Sequence, residues 1–316
     1  MRTLGKTALI FTAIGLVLYL VLYVAAEWLL YRTGDTNPFY KTATATETSF
    51  DWVILGASHA MPLDFADFND VMERETGLKI INLATPGTGP LYNRFVLEQL
   101  LQDRRVAKVL YVLDSFAFYS STWNEARFAD AKLLRRTPFQ TALAWRLLDY
   151  GLTEGVDARA ALDYMTGFSK INNPERFQRD IWEGEAQFER VHRPSASATA
   201  KRIAYLYPEA APDPGALTRY LREFEELVEL SQLKGLAVVI IKMPVPARFH
   251  SLLPNEAAFD EAMSRLLAGK QVPFHDFSLA MDEPRFYFDT DHLNRAGLME
   301  FFTRHLKTIL TSPVGE

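Results

Sequence analysis

The chain has 316 residues, 48% hydrophobic and 23% charged, with a formal net charge of -5. That length allows one large α/β domain or two small ones beyond the N-terminal segment. Mild acidity, without a basic stripe interleaved with aromatics, excludes an evident nucleic-acid surface, and the absence of cysteine excludes thiolate metal sites, disulfides and a lipoprotein anchor.

The first element in chain order is the apolar run Ala8–Tyr31, within which Ala8–Ala26 carries no charge. About 20 apolar residues span a bilayer core as a helix, and Tyr19, Tyr23, Trp28 and Tyr31 would set amphipathic rings toward the outer interface. The competing reading is a cleaved signal peptide, with "VAA" before Glu27 as the cleavage site. Signal-peptide apolar regions run about 7–15 residues, which favours an uncleaved anchor over residues 1–31. Arg2 and Lys6 precede the run and Arg32 follows it. The positive-inside rule then places the N-terminus in the cytoplasm and the rest of the chain outside. Residues 32–50, polar and Thr-rich, read as a linker.

From residue 51 apolar runs alternate with amphipathic patterns. Strands are expected at "DWVILGAS" (51–58), "KIINLA" (79–84), "VAKVLYVLDS" (106–115), "GLAVVIIKMPV" (235–245) and "VPFHDFS" (272–278). Their continuous Val/Ile/Leu character suits parallel strands buried on both faces. Helical patterns cover 67–77, 91–105, 217–235, 255–269 and 294–310, the last capped by Asn294. This is an α/β pattern, an open parallel sheet sandwiched by helices, over residues 51–313. Residues 116–212 interrupt it with no expected strand, as a largely helical insertion between the third and fourth strands. Such an insertion sits over the carboxyl edge where open α/β sheets bind ligands, and reads as a lid, a substrate platform or a decoration.

Chemistry concentrates at two places. The first strand ends on small residues, "LGASHA", and delivers Ser58 and His59; near the C-terminus "FYFDTDHLNRAG" places Asp289 three residues before His292. Acyl transfer by serine needs a base for the hydroxyl proton and a carboxylate to fix the imidazole tautomer. Ser58, His292 and Asp289 supply nucleophile, base and orienting acid if the two loops meet. Ser58 alone would read as a helix N-cap. His59 reads as a packing or substrate-contact residue, Asp291 as solvent-facing, and Gly87 and Gly89 also as ordinary turn glycines. Lys242, Arg248 and His250 follow the fourth strand, as substrate-binding cations or, more simply, solvated loop charges. No His-Glu-x-x-His or similar spacing occurs, so neither a metal nor a cofactor is expected.

These residues resemble the SGNH (GDSL-like) hydrolase family. Its first block, a strand followed by Gly-Asp-Ser, is matched by "LGASHA" with Ala57 at the aspartate position; its second by Asn82 and Gly87 in "INLATPGTGP"; its last by Asp289 and His292. The resemblance spans roughly residues 50–115 and 235–310. It implies a flavodoxin-like three-layer sandwich, with the amides of Ser58 and Gly87 as oxyanion donors. The family's third block, Gly-x-Asn-Asp, is replaced by "YVLDSFAF", which removes an Asn donor; Asn93 or Ser115 are candidate substitutes. Loss of one such donor costs about 10²–10³ in rate. The pattern looks most like membrane-tethered SGNH-like proteins of cell-surface acylation, of the alginate O-acetylation and lipoteichoic-acid D-alanylation type. That resemblance implies a glycan or polymer substrate outside the cytoplasmic membrane and a multi-spanning membrane acyltransferase as partner. A membrane-anchored esterase, or a catalytically silent binding or scaffold domain, remain the alternatives.

Overall fold

The computed structural model describes residues 2–33, 37–178, 181–208 and 213–312. Residues 34–36 of the expected linker, and the expected boundaries at 212 and 313, lie outside them. The chain divides into two compact units: residues 1–43 with 128–180, and residues 44–127 with 181–316.

The larger unit carries a five-stranded parallel sheet: β1 (Ser49–Gly56), β2 (Ile80–Asn82), β3 (Arg105–Val112), β4 (Ala237–Lys242) and β5 (Phe274–Asp276). Their order is β2-β1-β3-β4-β5, that of a flavodoxin-like doubly wound sheet. Register is set by pairs such as Ile54 with Asn82 and Leu110, and Leu110 with Val239. The central strands carry continuous apolar runs, Val53–Leu55, Val109–Val112 and Val238–Ile241, because both faces are covered there. Trp52, Ile54, Leu110, Val112, Val239 and Ile241 pack on one face against Phe68 and Met72 of the helix Phe68–Thr76, and against Leu298, Phe301, Leu306 and Leu310 of the C-terminal helical stretch. On the other face Tyr111 meets Phe224 edge-on at 4.9 Å, and Phe224 and Phe259 flank Phe118. These phenylalanines come from the helices Pro214–Leu233 and Glu256–Lys270.

The strands end within a few residues of their expected limits. The last helix is not uniform: Arg295–Phe301, capped by the Asn294 side chain on Gly297 N at 2.9 Å, passes through a π-type turn at Phe302–Leu306 before Lys307–Thr311.

The smaller unit joins the N-terminal helix α1 (Arg2–Thr33) to α2 (Pro38–Thr44), α3 (Thr141–Thr153) and α4 (Ala158–Thr166). The segment expected as a linker therefore contains a helix with Pro38, Phe39, Tyr40 and Thr42 buried. Asn37 caps it, accepting from Phe39 N and Tyr40 N, and donates to Thr137 Oγ1. From Leu4 to Thr33, α1 is long and apolar enough to cross a membrane. No strand lies within 116–212 among the described residues.

Candidate active site

In a parallel sheet all strand ends with the same sense lie at one edge, and Ser58, Gly87 and Asp114 follow β1, β2 and β3 there. β1 and β3 flank the point where strand order reverses, the usual ligand crevice of this topology. β1 terminates at Gly56 because nothing larger fits: its φ is +138°, and a Cβ would lie 2.6 Å from the carbonyl oxygen of Val112. The turn beyond is clamped from β2's side. Asn93 Oδ1 accepts from Gly56 N at 3.0 Å, Thr88 Oγ1 donates to Gly56 O at 3.1 Å, and Asn82 Nδ2 donates to Ala60 O at 2.8 Å. Ser58 thus stands on a braced turn, and its chain runs into the 3₁₀ turn Met61–Asp64.

Ser58, Gly87 and Asp289 line one cavity of about 300 Å³, together with Phe116, Trp123, Trp182, Arg202, Tyr205 and Phe288. Neither Ser58 N nor Gly87 N donates a hydrogen bond among the described residues, which leaves both amides available to a ligand. Gly87 has φ +60° and lies against the Trp123 ring, 2.7 Å from where its Cβ would be.

His292 is buried, and its Nδ1 contacts both Asp289 oxygens, at 2.8 and 3.0 Å. Asp289 Oδ1 also accepts from His292 N and Asp291 N, so the loop itself fixes the carboxylate. Burial opposes charge on Asp289, but His292 and these amides hold its carboxyl below the usual range. Phe288 stacks on the imidazole at 5.5 Å and Trp182 meets it edge-on at 5.2 Å. His292 Nε2 is buried with no hydrogen-bond partner in the structure. In free enzymes such catalytic bonds are often long and tighten with substrate.

The structure corrects the expectation for Asp291, which is wholly buried rather than solvent-facing. Arg202 Nε contacts both its oxygens, at 3.0 and 3.2 Å. Burial alone would raise the Asp291 carboxyl, but Arg202, His292 and His59 hold it well below the usual range. His59 is buried too. Its Nδ1 bonds Asp114 Oδ1 at 2.5 Å, and its Nε2 lies 3.4 Å from Asp291. Desolvation lowers the His59 pKa, but Asp114 and then Asp291 overcome it and push the group up to about 10. The imidazole rings of His59 and His292 lie 4.7 Å apart. His59, Asp291 and His292 bring possible metal-binding atoms within 4.8 Å of one another, a cluster that ligand spacing in the sequence does not reveal. Each histidine's Nδ1 faces a carboxylate and Asp291 pairs with Arg202, while the Nε2 atoms of His59 and His292 are buried without a hydrogen-bond partner.

The remaining candidates are held elsewhere. Asn93 is spent on the Gly56 turn and also donates to Gly89 O. Ser115 Oγ donates to Glu256 at 2.5 Å and shares a hydrogen bond with Tyr207. Arg248 lines a separate cavity with His192, Thr199 and Thr290. Lys242, expected as a solvated loop charge, is instead buried between Glu256 and Asp260. The sequence reading missed Trp182 and Arg202; their only signal was residence in the long insertion.

No protein-family model matches the chain, and no curated protein matches it. A solved structure from Bacteroides fragilis, described as a "putative acylhydrolase", is similar at a TM-score of 0.41 and 10% identity, covering 87% of this chain and 95% of its own.

Proposed function

We propose that the chain is a membrane-anchored serine enzyme of acyl transfer, acting outside the cytoplasm on ester-linked groups of a cell-surface glycan or polymer. The observation that carries this reading is the pairing of His292 with Asp289 beside the cavity that Ser58 and Gly87 line. Ser58 Oγ attacks the acyl carbonyl while His292 Nε2 takes its proton, and Asp289 holds the Nδ1–H tautomer and the cation that forms. The free amides of Ser58 and Gly87 receive the oxyanion. His292 then returns its proton to the leaving oxygen, and a sugar hydroxyl deprotonated by the same base removes the acyl group. With water as acceptor the same residues make an esterase. The resemblance to SGNH hydrolases carries the assignment of roles.

The anchor reading is supported by the packing of α1 within its own unit. Tyr19 donates to Thr166 O at 3.0 Å, and Lys170 pairs with Glu27. Cleavage after Ala26 would strip that unit of its Tyr19 and Tyr23 contacts. An acyl-CoA cannot cross a bilayer, and a single helix offers no polar path. A transferase outside therefore takes its acyl group from an already acylated extracellular donor or from another membrane protein, and the resemblance favours a multi-spanning acyltransferase.

The test is labelling of full-length protein in nanodiscs with a fluorophosphonate probe. Wild type should label, and Ser58→Ala and His292→Ala should not, while Ser58→Ala keeps the wild-type melting temperature and His292→Ala, which truncates a buried ring, still melts cooperatively at a lower one. Undiminished labelling of Ser58→Ala would overturn the assignment; absence of labelling in wild type would favour a silent binding domain.

A further inference from the structure

We propose that the helical unit of residues 128–180 is embedded in the outer leaflet of the membrane that α1 crosses, with Phe168, Leu162, Leu152 and Trp145 in contact with lipid. This rests on α1 being an uncleaved span. No charge interrupts α1 between Lys6 and Glu27, a stretch that matches a hydrocarbon core of about 30 Å at about 1.5 Å per residue. Ala26 then marks the outer boundary, and Tyr19 lies about 10 Å beneath it. Side chains on a helix lean toward its N-terminus, here the cytoplasmic side, so the Tyr19 hydroxyl is no shallower than its Cα.

That hydroxyl donates to the carbonyl of Thr166 at 3.0 Å, and the Tyr23 ring meets Phe139 edge-on at 6.2 Å. The C-terminal end of α4 is thereby fixed below the outer boundary of the hydrocarbon. Sliding α1 outward by one turn, about 5 Å, still leaves the contact within the leaflet. The backbone there is satisfied as a membrane requires: Thr166 O takes the tyrosine proton, Thr166 Oγ1 donates to Leu162 O, and Gly167 N donates to Asp163 O.

The surfaces around this point suit lipid. α3 buries Leu143, Ala144, Leu147 and Tyr150, yet its other face leaves Trp145 68% and Leu152 88% exposed. α4 buries Ala160, Ala161 and Tyr164 and leaves Leu162 57% exposed, with Phe168 following at 62%. The exposed stripes are mixed, with Asp149 between Trp145 and Leu152 on α3 and Arg159 one turn before Leu162 on α4, a pattern of helices lying at a membrane interface rather than crossing it. α3 and α4 pack on each other, so their exposed stripes extend the surface that α1 places at depth. Acyl chains can cover Phe168, Leu162 and Leu152, while Asp149, Arg159 and the Trp145 indole belong at the headgroup boundary, where charged and amphipathic groups meet water.

The chain has no cysteine, so single reporters are clean. Full-length Phe168→Cys, Leu152→Cys and Trp145→Cys would be spin-labelled in nanodiscs holding this protein alone, and collision with oxygen compared with collision with a nickel chelate. Val17→Cys in the middle of α1 reports the span, and Leu233→Cys, at a position 86% exposed on the other unit, reports water. The inference expects the oxygen-to-nickel ratio at 168 and 152 to exceed that at 233 severalfold and to approach that at 17. A lipid signal at 17 with a water signal at 168 and 152 overturns the inference and leaves the anchor standing; a water signal at 17 overturns the anchor. Protection from both reagents at 168 and 152 would mean protein, not lipid, covers the surface, and also overturns it. Equal melting temperatures across the variants confirm that each reporter sits on the folded unit.

Discussion

Asp289→Asn isolates the role of the carboxylate from that of the loop. Asp289 Oδ1 accepts from the amides of Asp291 and His292 at 3.0 and 2.8 Å, while Oδ2 faces His292 Nδ1 at 2.8 Å. An asparagine with its oxygen toward the two amides keeps the loop, so folding should change by no more than about one neutral hydrogen bond, ~1 kcal/mol. Its amide nitrogen then points at Nδ1 and forces that atom to accept. The ring proton moves to Nε2, which can no longer take the Ser58 proton. The equivalent exchange in serine proteases removes about 10⁴ in kcat, which is about 5.5 kcal/mol of barrier. The assay is hydrolysis of a p-nitrophenyl acyl ester by full-length protein in nanodiscs, with the fluorophosphonate labelling rate alongside. We expect a loss of three to four decades in both, at an unchanged KM. Retention of activity within about tenfold, with Ser58→Ala inactive, would refute the reasoning and move the orienting role elsewhere. Asp291→Asn is the natural comparison, since Asp291 lies 3.7 Å from His292 Nδ1 and is committed to Arg202.

Gly87→Ala places a methyl group 2.7 Å from Trp123 at φ +60°, so it should cost roughly 1–3 kcal/mol of stability by strain alone and lower esterase kcat, read by thermal melting and turnover. Lys242→Met removes the cation that Glu256 and Asp260 share. Leaving Glu256 buried and uncompensated should destabilise the fold by about 3–5 kcal/mol, measured by chemical denaturation; a neutral result would show that water reaches the pair. His59 is raised to about 10 in the fold from 6.5. Its contribution is therefore fully present below about pH 6.5 and is lost as pH rises toward 10. Asp289 and Asp291 are lowered from 3.8, so theirs is present above that value and is lost on acidification. Stability in wild type should be greatest between these limits, and His59→Gln should flatten its alkaline side.

The sheet was legible because a strand covered on both faces must be apolar at every position, and Val53–Leu55, Val109–Val112 and Val238–Ile241 are. Ends were less legible: β3 was expected to reach Ser115, yet only Leu113 N continues the ladder, donating to Ile241 O. The edge strand β2 keeps only Ile80–Asn82. The Asp289–His292 contact was legible because it is local, an i, i+3 pair, and Ser58 because it follows a strand end. The burial of Asp291 was not, because its partner Arg202 is 89 residues away and His59 comes from the end of β1. Nor could the partner of His59 be read, since Asp114 reaches it only through the pairing of β1 with β3. The mixed composition of 116–212 hid a division: residues 128–180 belong with α1, while residues 181–206 bring Trp182, Arg202 and Tyr205 to the cavity.

The buried charge around the site also bears on how acyl transfer would run. Asp114, Asp289 and Asp291 are three carboxylates in a cluster whose permanent cations are Arg202 and the protonated His59. Each buried ion costs several kcal/mol in desolvation, and an apolar core of equal volume would often be more stable. Three carboxyl groups thus face two cationic partners, Arg202 and His59. In the proposed mechanism the positive charge on His292 would form beside Asp289 at 2.8 Å and within 3.7 Å of Asp291. The compensation is fixed before the reaction starts, because backbone amides hold Asp289 and Arg202 holds Asp291. Such dipoles and charges need no reorganisation at the transition state, which is the form of electrostatic stabilisation that contributes most to acyl transfer.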